Sequence, residues 1–409
     1  MEAELVYDLW IASDNYHRIY GLSVDNGNSQ QRPGGDLMNA RIRISMAVTI
    51  CLLLICLSAI AQEGLIVRET VHSSSLEGNL LGDSPDRQVT IYLPPSYDNG
   101  DNLSYPVVYL LHGYTGDHNS WAGGYVGDIL YPMNSWLRDG KAGEMILVMP
   151  NSYNKLQGSF YTNSVTTGKW EDFIARDLVL YIDSNYRTLP QRESRAVIGH
   201  SMGGYGGLKL GLLYPEVFGC LGGMAGVYDV GDWITSRESM WANASNIKTW
   251  AQFYSLGWQE KSPFAWNAAF VPNPDNPPFY CDFPLVYTDT EPRKVVNNQD
   301  VYDRFMAHDI LRMAEGYVTS LSGMEAIYID CGVNDQFNLI EDARKLHDKL
   351  LSLGVDHIYR EFSGDHTNHV MTSTGDALEV FSNAMAFEML VGVEPAGKLA
   401  VTWAEIRSR

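Results

Sequence analysis

The run Ala196-Val197-Ile198-Gly199-His200-Ser201-Met202-Gly203-Gly204-Tyr205 constrains this chain more than any other stretch. An apolar segment stops at Gly199, a serine stands between two glycines at G-x-S-x-G spacing, and a helix-compatible segment follows. A strand that turns so sharply into a helix leaves its serine in a strained backbone conformation, with the hydroxyl lifted above the end of a sheet. Gly199 and Gly203 are required because a side chain at either place would collide across the turn. The same geometry aims the backbone N–H of Met202 into the space beside the Ser201 hydroxyl. The pattern is that of a nucleophile elbow.

A serine hydroxyl becomes a nucleophile only when a neutral imidazole takes its proton, and the imidazole needs a carboxylate to fix its tautomer. Residues 324–332 read as a buried strand, 333–337 as the loop leaving it, and about 339–353 as a helix. Residues 358–362 then form a further strand, followed by Ser363-Gly364-Asp365-His366-Thr367-Asn368-His369. The order Ser201, Asp335, His366 is the serine–acid–histidine order of α/β hydrolases, distinct from those of chymotrypsin and subtilisin. Loops after successive parallel strands bring acid and base to one edge of the sheet. Asp330 is the rival acid, but it lies inside the strand rather than at its exit.

An oxyanion site completes the set. The apolar strand 105–111 runs into His112-Gly113-Tyr114, where Gly113 lets the backbone turn inward. The N–H groups of Tyr114 and Met202 then face one oxygen, and loss of one such donor costs about 3–4 kcal/mol of barrier. His112 is expected to order this loop, and His200 to be a packing residue whose side chain points away from Ser201.

Strands alternating with helical patterns predict an α/β-hydrolase fold, a mostly parallel central sheet flanked by helices. Residues 229–322 interrupt that rhythm with thirteen aromatic residues from Trp233 to Tyr287 and a Pro/Asn-rich stretch at 272–278. We read them as a cap inserted above the triad, with at least two thirds of the rings forming the cap's own core.

In these motifs the chain resembles an esterase family that includes esterase D (S-formylglutathione hydrolase), bacterial feruloyl esterases and the mycolyltransferases. The resemblance is carried by residues 89–97, the strand into His112-Gly113, residues 172–178 and 181–187, the Ser-Met-Gly-Gly-Tyr-Gly elbow and Gly364-Asp365-His366. It spans roughly 65–230 and 323–390 and finds no counterpart in 229–322. It implies Ser201 as nucleophile, Asp335 as acid, His366 as base, and Tyr114 and Met202 as oxyanion donors. The family's G-x-H spacing selects His366 over His369.

The N-terminus is expected to hold no part of the fold. Residues 1–37 are polar and lack sustained periodicity, so we read them as a disordered upstream extension, with Met38 as the start. Residues 38–61 carry a basic start, an apolar run and the Ala59-Ile60-Ala61 cleavage pattern of a bacterial-type signal peptide. Cleavage after Ala61 implies export to the periplasm or the medium and no stable membrane insertion. The remaining divisions are 62–228 and 323–395 as the two parts of the core, 229–322 as the cap and 396–409 as a tail. Only Cys220, Cys281 and Cys331 follow the cleavage site, an odd number that makes no complete disulfide framework. No C-x-x-C or H-E-x-x-H pattern indicates a metal, and the chemistry needs no cofactor. A net charge of −20 argues against nucleic acid and anionic membrane surfaces as partners.

The expected activity is hydrolysis of small-molecule or polymer-linked carboxylic esters through an acyl-enzyme. Feruloyl or other plant-polymer esters are the leading substrates, with a generalist carboxylesterase close behind. An acyltransferase would use the same triad with an alcohol in place of water. From another class, a catalytically silent carbohydrate- or partner-binding module would be expected to lack one of the triad residues.

Overall fold

The chain enters the sheet through two strands, β1 (Leu65–His72) and β2 (Asp86–Leu93), paired antiparallel. Four strands follow whose residues are all buried: β3 (Val107–Leu111), β4 (Ile146–Pro150), β5 (Arg195–Gly199) and β6 (Cys220–Met224). Their apolar runs do not alternate with polar residues because both faces of the sheet are covered. In β3, Val107, Tyr109 and Leu111 enter one core while Val108 and Leu110 enter the other, as the two-residue side-chain period of a strand demands. The last two strands are β7 (Ala326–Gly332) and β8 (Ile358–Phe362), and β8 is the half-exposed edge. The computed structural model describes residues 63–99, 102–289 and 291–389, which fall in a unit spanning Gln62–Arg409.

Spatial order in the sheet is β1-β2-β4-β3-β5-β6-β7-β8. Both pairings of β2 are antiparallel, and every pairing from β4 through β8 is parallel. The expected α/β architecture with a mostly parallel sheet is therefore present. Helices α1 (Leu130–Arg138), α2 (Val179–Asn185) and α3 (Met202–Leu213) flank it. The helical stretch from Trp170 to Asn185 is not a plain α-helix: Phe173–Leu178 forms π turns between Trp170–Asp172 and α2. The wider turn collects Phe173, Ile174 and Leu178 on one buried face.

Between β6 and β7 lies the insertion. It holds helices α4 (Val230–Thr235), α5 (Glu238–Ala244), α6 (Trp250–Tyr254), α7 (Trp258–Phe270), α8 (Gln299–Met306), α9 (Ile310–Gly316) and α10 (Val318–Ser322). A two-stranded hairpin pairs Leu285–Tyr287 with Val295–Asn297. In α7, Pro263 cannot donate to the Gln259 carbonyl, and the Ser262 hydroxyl donates to it instead at 2.8 Å. Polar contacts join the insertion to α3: Tyr205 Oη donates to the His308 carbonyl at 2.9 Å, and Lys209 Nζ, itself 2.8 Å from Glu171, lies 3.3 Å from His308 Nδ1. After the insertion, α11 (Leu339–Ser352) links β7 to β8, and α12 (Val370–Ala384) follows.

Cys220, Cys281 and Cys331 are buried free thiols. Among the described residues no helix is long and apolar enough to cross a membrane. The upstream extension, the signal peptide and the tail at 396–409 lie outside the described residues.

Candidate active site

Ser201 occupies the turn between β5 and α3 with φ 58° and ψ −114°. A non-glycine residue held there stores on the order of 1–3 kcal/mol of strain, which its surroundings must enforce. The Ser201 N–H donates to the Met224 carbonyl at 2.9 Å, and the His200 N–H donates to the Leu111 carbonyl at 3.1 Å, so both neighbouring strands pin the turn. The two glycines of the motif answer to the same crowding. A Cβ on Gly199 would lie 2.3 Å from the Leu111 oxygen, and one on Gly203 would lie 1.8 Å from it. Ser201 borders a cavity of about 1140 Å³.

Asp335 and His366 meet beside it. Asp335 leaves β7 in a loop where its Oδ1 accepts the Phe337 N–H at 2.8 Å and its Oδ2 accepts from His366 Nδ1 at 2.6 Å. The Asp335 carboxylate is fully buried, and the His366 side chain is 8% exposed. With Nδ1–H committed to the carboxylate, His366 presents its Nε2 lone pair. Ser201 and His366 line the same cavity. Ser201 Oγ has no hydrogen-bond partner among the described residues, and such contacts commonly tighten only with substrate in place.

The two amides named from the sequence sit on this cavity as well. Tyr114 and Met202 both line it, and neither N–H has an intramolecular acceptor among the described residues. The loop carrying Tyr114 is anchored by the Thr115 N–H on the Gln157 carbonyl at 3.0 Å. His112 orders it, as expected: Nδ1–H donates to the Gly113 carbonyl at 2.8 Å, and Nε2 accepts the Ser152 N–H at 2.9 Å. Burial pushes His112 down to about 4, which keeps that pattern neutral.

His200 departs from expectation. Its ring does not point away but stands 4.6 Å from that of His366 and lines the cavity. Nε2–H donates to the His366 carbonyl at 2.7 Å, while Nδ1 accepts from Tyr125 Oη at 3.0 Å. Tyr125 Oη in turn accepts the Gly113 N–H at 3.1 Å. One chain of hydrogen bonds thus ties the Tyr114 loop to the His366 loop. Burial first, and then the nearby His366, hold His200 well below its ordinary range, so this relay stays uncharged. Nothing local in the sequence marks Tyr125, because its role exists only once loops distant in sequence have met. The rival residues lie elsewhere: Asp330 is buried within β7 bonded to Tyr328 Oη, and the His369 ring packs on Phe362 at 4.7 Å.

Of the thirteen rings from Trp233 to Tyr287, three line the cavity, Trp233, Trp258 and Trp266. Most of the others pack on one another, as Phe264 does on Phe279 at 4.6 Å. The sheet side adds aromatic walls that no motif announced. Phe160 stacks on Trp266 at 3.8 Å, and Phe337 stands edge-on to His366 at 4.9 Å.

Comparison with known proteins places the chain among esterases. Esterase Rv1288 of Mycobacterium tuberculosis is 34% identical over 131 residues, covering 31% of this chain and 26% of the relative. An endo-1,4-beta-xylanase/feruloyl esterase of Xylanibacter ruminicola is 34% identical over 143 residues, 33% of this chain and 19% of the relative. The chain therefore spans about a quarter or less of the length of these curated relatives. A solved ferulic acid esterase superposes with a TM-score of 0.54 at 21% identity, covering 79% of this chain and 99% of that one, which shows a shared fold. The model of the family described as Putative esterase matches residues 84–370, more than half of the chain. With that match and the α/β-hydrolase sheet beneath it, the chain belongs to this esterase family.

Proposed function

We propose that this chain is a serine carboxylic-ester hydrolase that works through an acyl-enzyme. The observation that carries the reading is the buried Asp335–His366 pair, whose histidine lines the same cavity as Ser201, itself held in a left-handed turn. Ser201 Oγ attacks the ester carbonyl as His366 Nε2 takes its proton, and Asp335 stabilises the imidazolium. The carbonyl oxygen, now an anion, receives the N–H groups of Tyr114 and Met202. The tetrahedral adduct collapses by breaking the bond to the alkoxy oxygen, and His366 returns the proton to the departing alcohol. Water then repeats the sequence on the acyl-enzyme, releasing the acid and restoring Ser201.

An aromatic acyl group suits the walls that Trp233, Trp258, Phe160 and Phe337 supply. Feruloyl esters, and plant-polymer esters more widely, are the substrates we favour, in line with the feruloyl esterase name of one relative. The basic-then-apolar stretch at 38–61 supports action outside the cytoplasm. The test is hydrolysis of short and long p-nitrophenyl esters, methyl ferulate and acetylated xylan by the protein and by Ser201→Ala. We expect turnover by the parent and a fall of about 10⁵-fold or more in kcat in the variant. A folded parent inactive on all of them contradicts the reading.

A further inference from the structure

Arg237 stands in the wall of the cavity beside Ser201, and among the described residues no carboxylate forms an ion pair with it, although Asp342, Asp232 and Asp335 are near enough to attract it. The chain holds 49 Asp and Glu against 29 Lys and Arg. Even so, no Asp or Glu lines this cavity among the described residues, and Arg237 is the one Lys or Arg that does. A partly buried cation left unpaired is costly, so its retention calls for a role.

Neutral groups hold the guanidinium in place. Nη1 donates to the Trp233 carbonyl at 3.2 Å and to Ser236 Oγ at 2.8 Å, and Nη2 donates to the Phe337 carbonyl at 3.0 Å. The plane lies 3.8 Å from the centre of the Trp233 ring. Three of the five N–H donors are thereby used, and Nε–H and one Nη2–H remain. A planar cation fixed by two carbonyls and an indole, with donors to spare, is a preorganised carboxylate receptor. Phe337 relates it to the reacting centre, since its carbonyl holds Arg237 while its ring meets His366 at 4.9 Å.

The carboxylates nearest Arg237 are engaged elsewhere, Asp335 with His366 Nδ1 at 2.6 Å. Asp232 and Asp342 border a second cavity of about 300 Å³ that Arg237 also touches. Asp342 accepts the N–H groups of Tyr228 and Asp229 at 3.0 and 3.1 Å, and Asp232 lies 3.5 Å from Lys345.

We propose that Arg237 is a specificity-determining residue that receives a carboxylate of the substrate, so that the preferred esters carry a negative charge a short chain from the scissile carbonyl. The inference rests on the serine-esterase reading above. Two matched pairs test it: p-nitrophenyl hemiglutarate against p-nitrophenyl butyrate for a charge on the acyl side, and 3-carboxyphenyl butyrate against 3-carbamoylphenyl butyrate for one on the alcohol side. In one pair the parent should favour the anionic member by about ten-fold or more in kcat/KM, the worth of a hydrogen bond to a charged group. That ratio should collapse toward one in Arg237→Gln and Arg237→Met and survive in part in Arg237→Lys. Both members are read on the same protein, so the ratio does not depend on how much of a variant folds. The preference should also shrink between about 0.05 and about 0.5 M salt. Turnover of the neutral esters without an anionic preference, or a preference that survives Arg237→Gln, overturns the assignment of Arg237 alone. Absence of turnover on every ester overturns the esterase reading and this inference with it.

Discussion

The sheet around the elbow and the insertion between β6 and β7 are held together by different means. Near Ser201 the decisive contacts are backbone on backbone, with the Leu111 carbonyl filling the space where a Cβ on Gly199 or Gly203 would go. In the insertion they are ring on ring, as between Phe253 and Phe264 at 5.2 Å or Trp241 and Phe305 at 5.3 Å. Backbone contacts fix atoms closely and admit almost no substitution. Ring packing can be rearranged at moderate cost so long as volume is kept. The residues proposed to react sit on the first kind of scaffold, whereas much of the cavity wall comes from the second. Chemistry and selectivity can therefore change independently.

The largest effect should come from placing a methyl group against that backbone. Gly203→Ala sets a Cβ 1.8 Å from the Leu111 oxygen, and a clash with main chain cannot be relieved by a rotamer change. A loss of about 4 kcal/mol or more is expected, read as poor soluble yield and a collapsed unfolding temperature. A variant that melts like the parent would break the contrast.

A smaller effect, dependent on pH, resides in the sheet itself. Asp330 is buried in β7 with Oδ1 unpartnered, and burial pushes its carboxyl up to about 7. A raised carboxyl contributes its stability in full below the unfolded value of 3.8 and loses it as pH rises toward the folded value. Asp330→Asn should therefore gain on the parent between pH ~5 and pH ~8, by about 2 kcal/mol in denaturant titrations. Buried His112 and half-buried His308, held down to about 4 and about 3, work in the opposite direction. Their contribution is whole above the unfolded 6.5 and is lost as pH falls below it. An Asp330→Asn advantage that does not vary with pH would contradict this assignment.

The smallest effect on stability should fall in the insertion. Trp258 is 50% exposed and lines the cavity. Trp258→Ala should change stability by less than about 1 kcal/mol, while KM for bulky acyl esters rises several-fold, about 3- to 10-fold, at nearly constant kcat. A marked fall in the unfolding temperature would make Trp258 part of the scaffold rather than of the wall.

Much of the core was legible because its signals are local. Apolar runs marked β3 and β5, and Gly199, Ser201 and Gly203 specified the turn whatever lies around them. The Ser201, Asp335, His366 order could be read because parallel strands deliver successive loops to one edge. What escaped depends on contacts between segments distant in the chain. The Gly113–Tyr125–His200–His366 relay joins three loops, and the neighbour of a serine in an elbow gives no hint that its ring will pack on that of His366. Likewise, thirteen aromatic residues announced a ring-packed insertion, but which three turn toward Ser201 depends on helix rotations that composition does not carry.

The most direct test of Ser201 as the nucleophile is to expose the folded protein to a fluorophosphonate, which phosphonylates an activated serine hydroxyl with loss of fluoride, and to map the adduct by mass spectrometry of its peptides. The expected result is a single phosphonyl group on Ser201, absent from Ser201→Ala and strongly reduced in His366→Ala. An adduct on another serine, or none on a folded protein that hydrolyses esters, would contradict the assignment of Ser201.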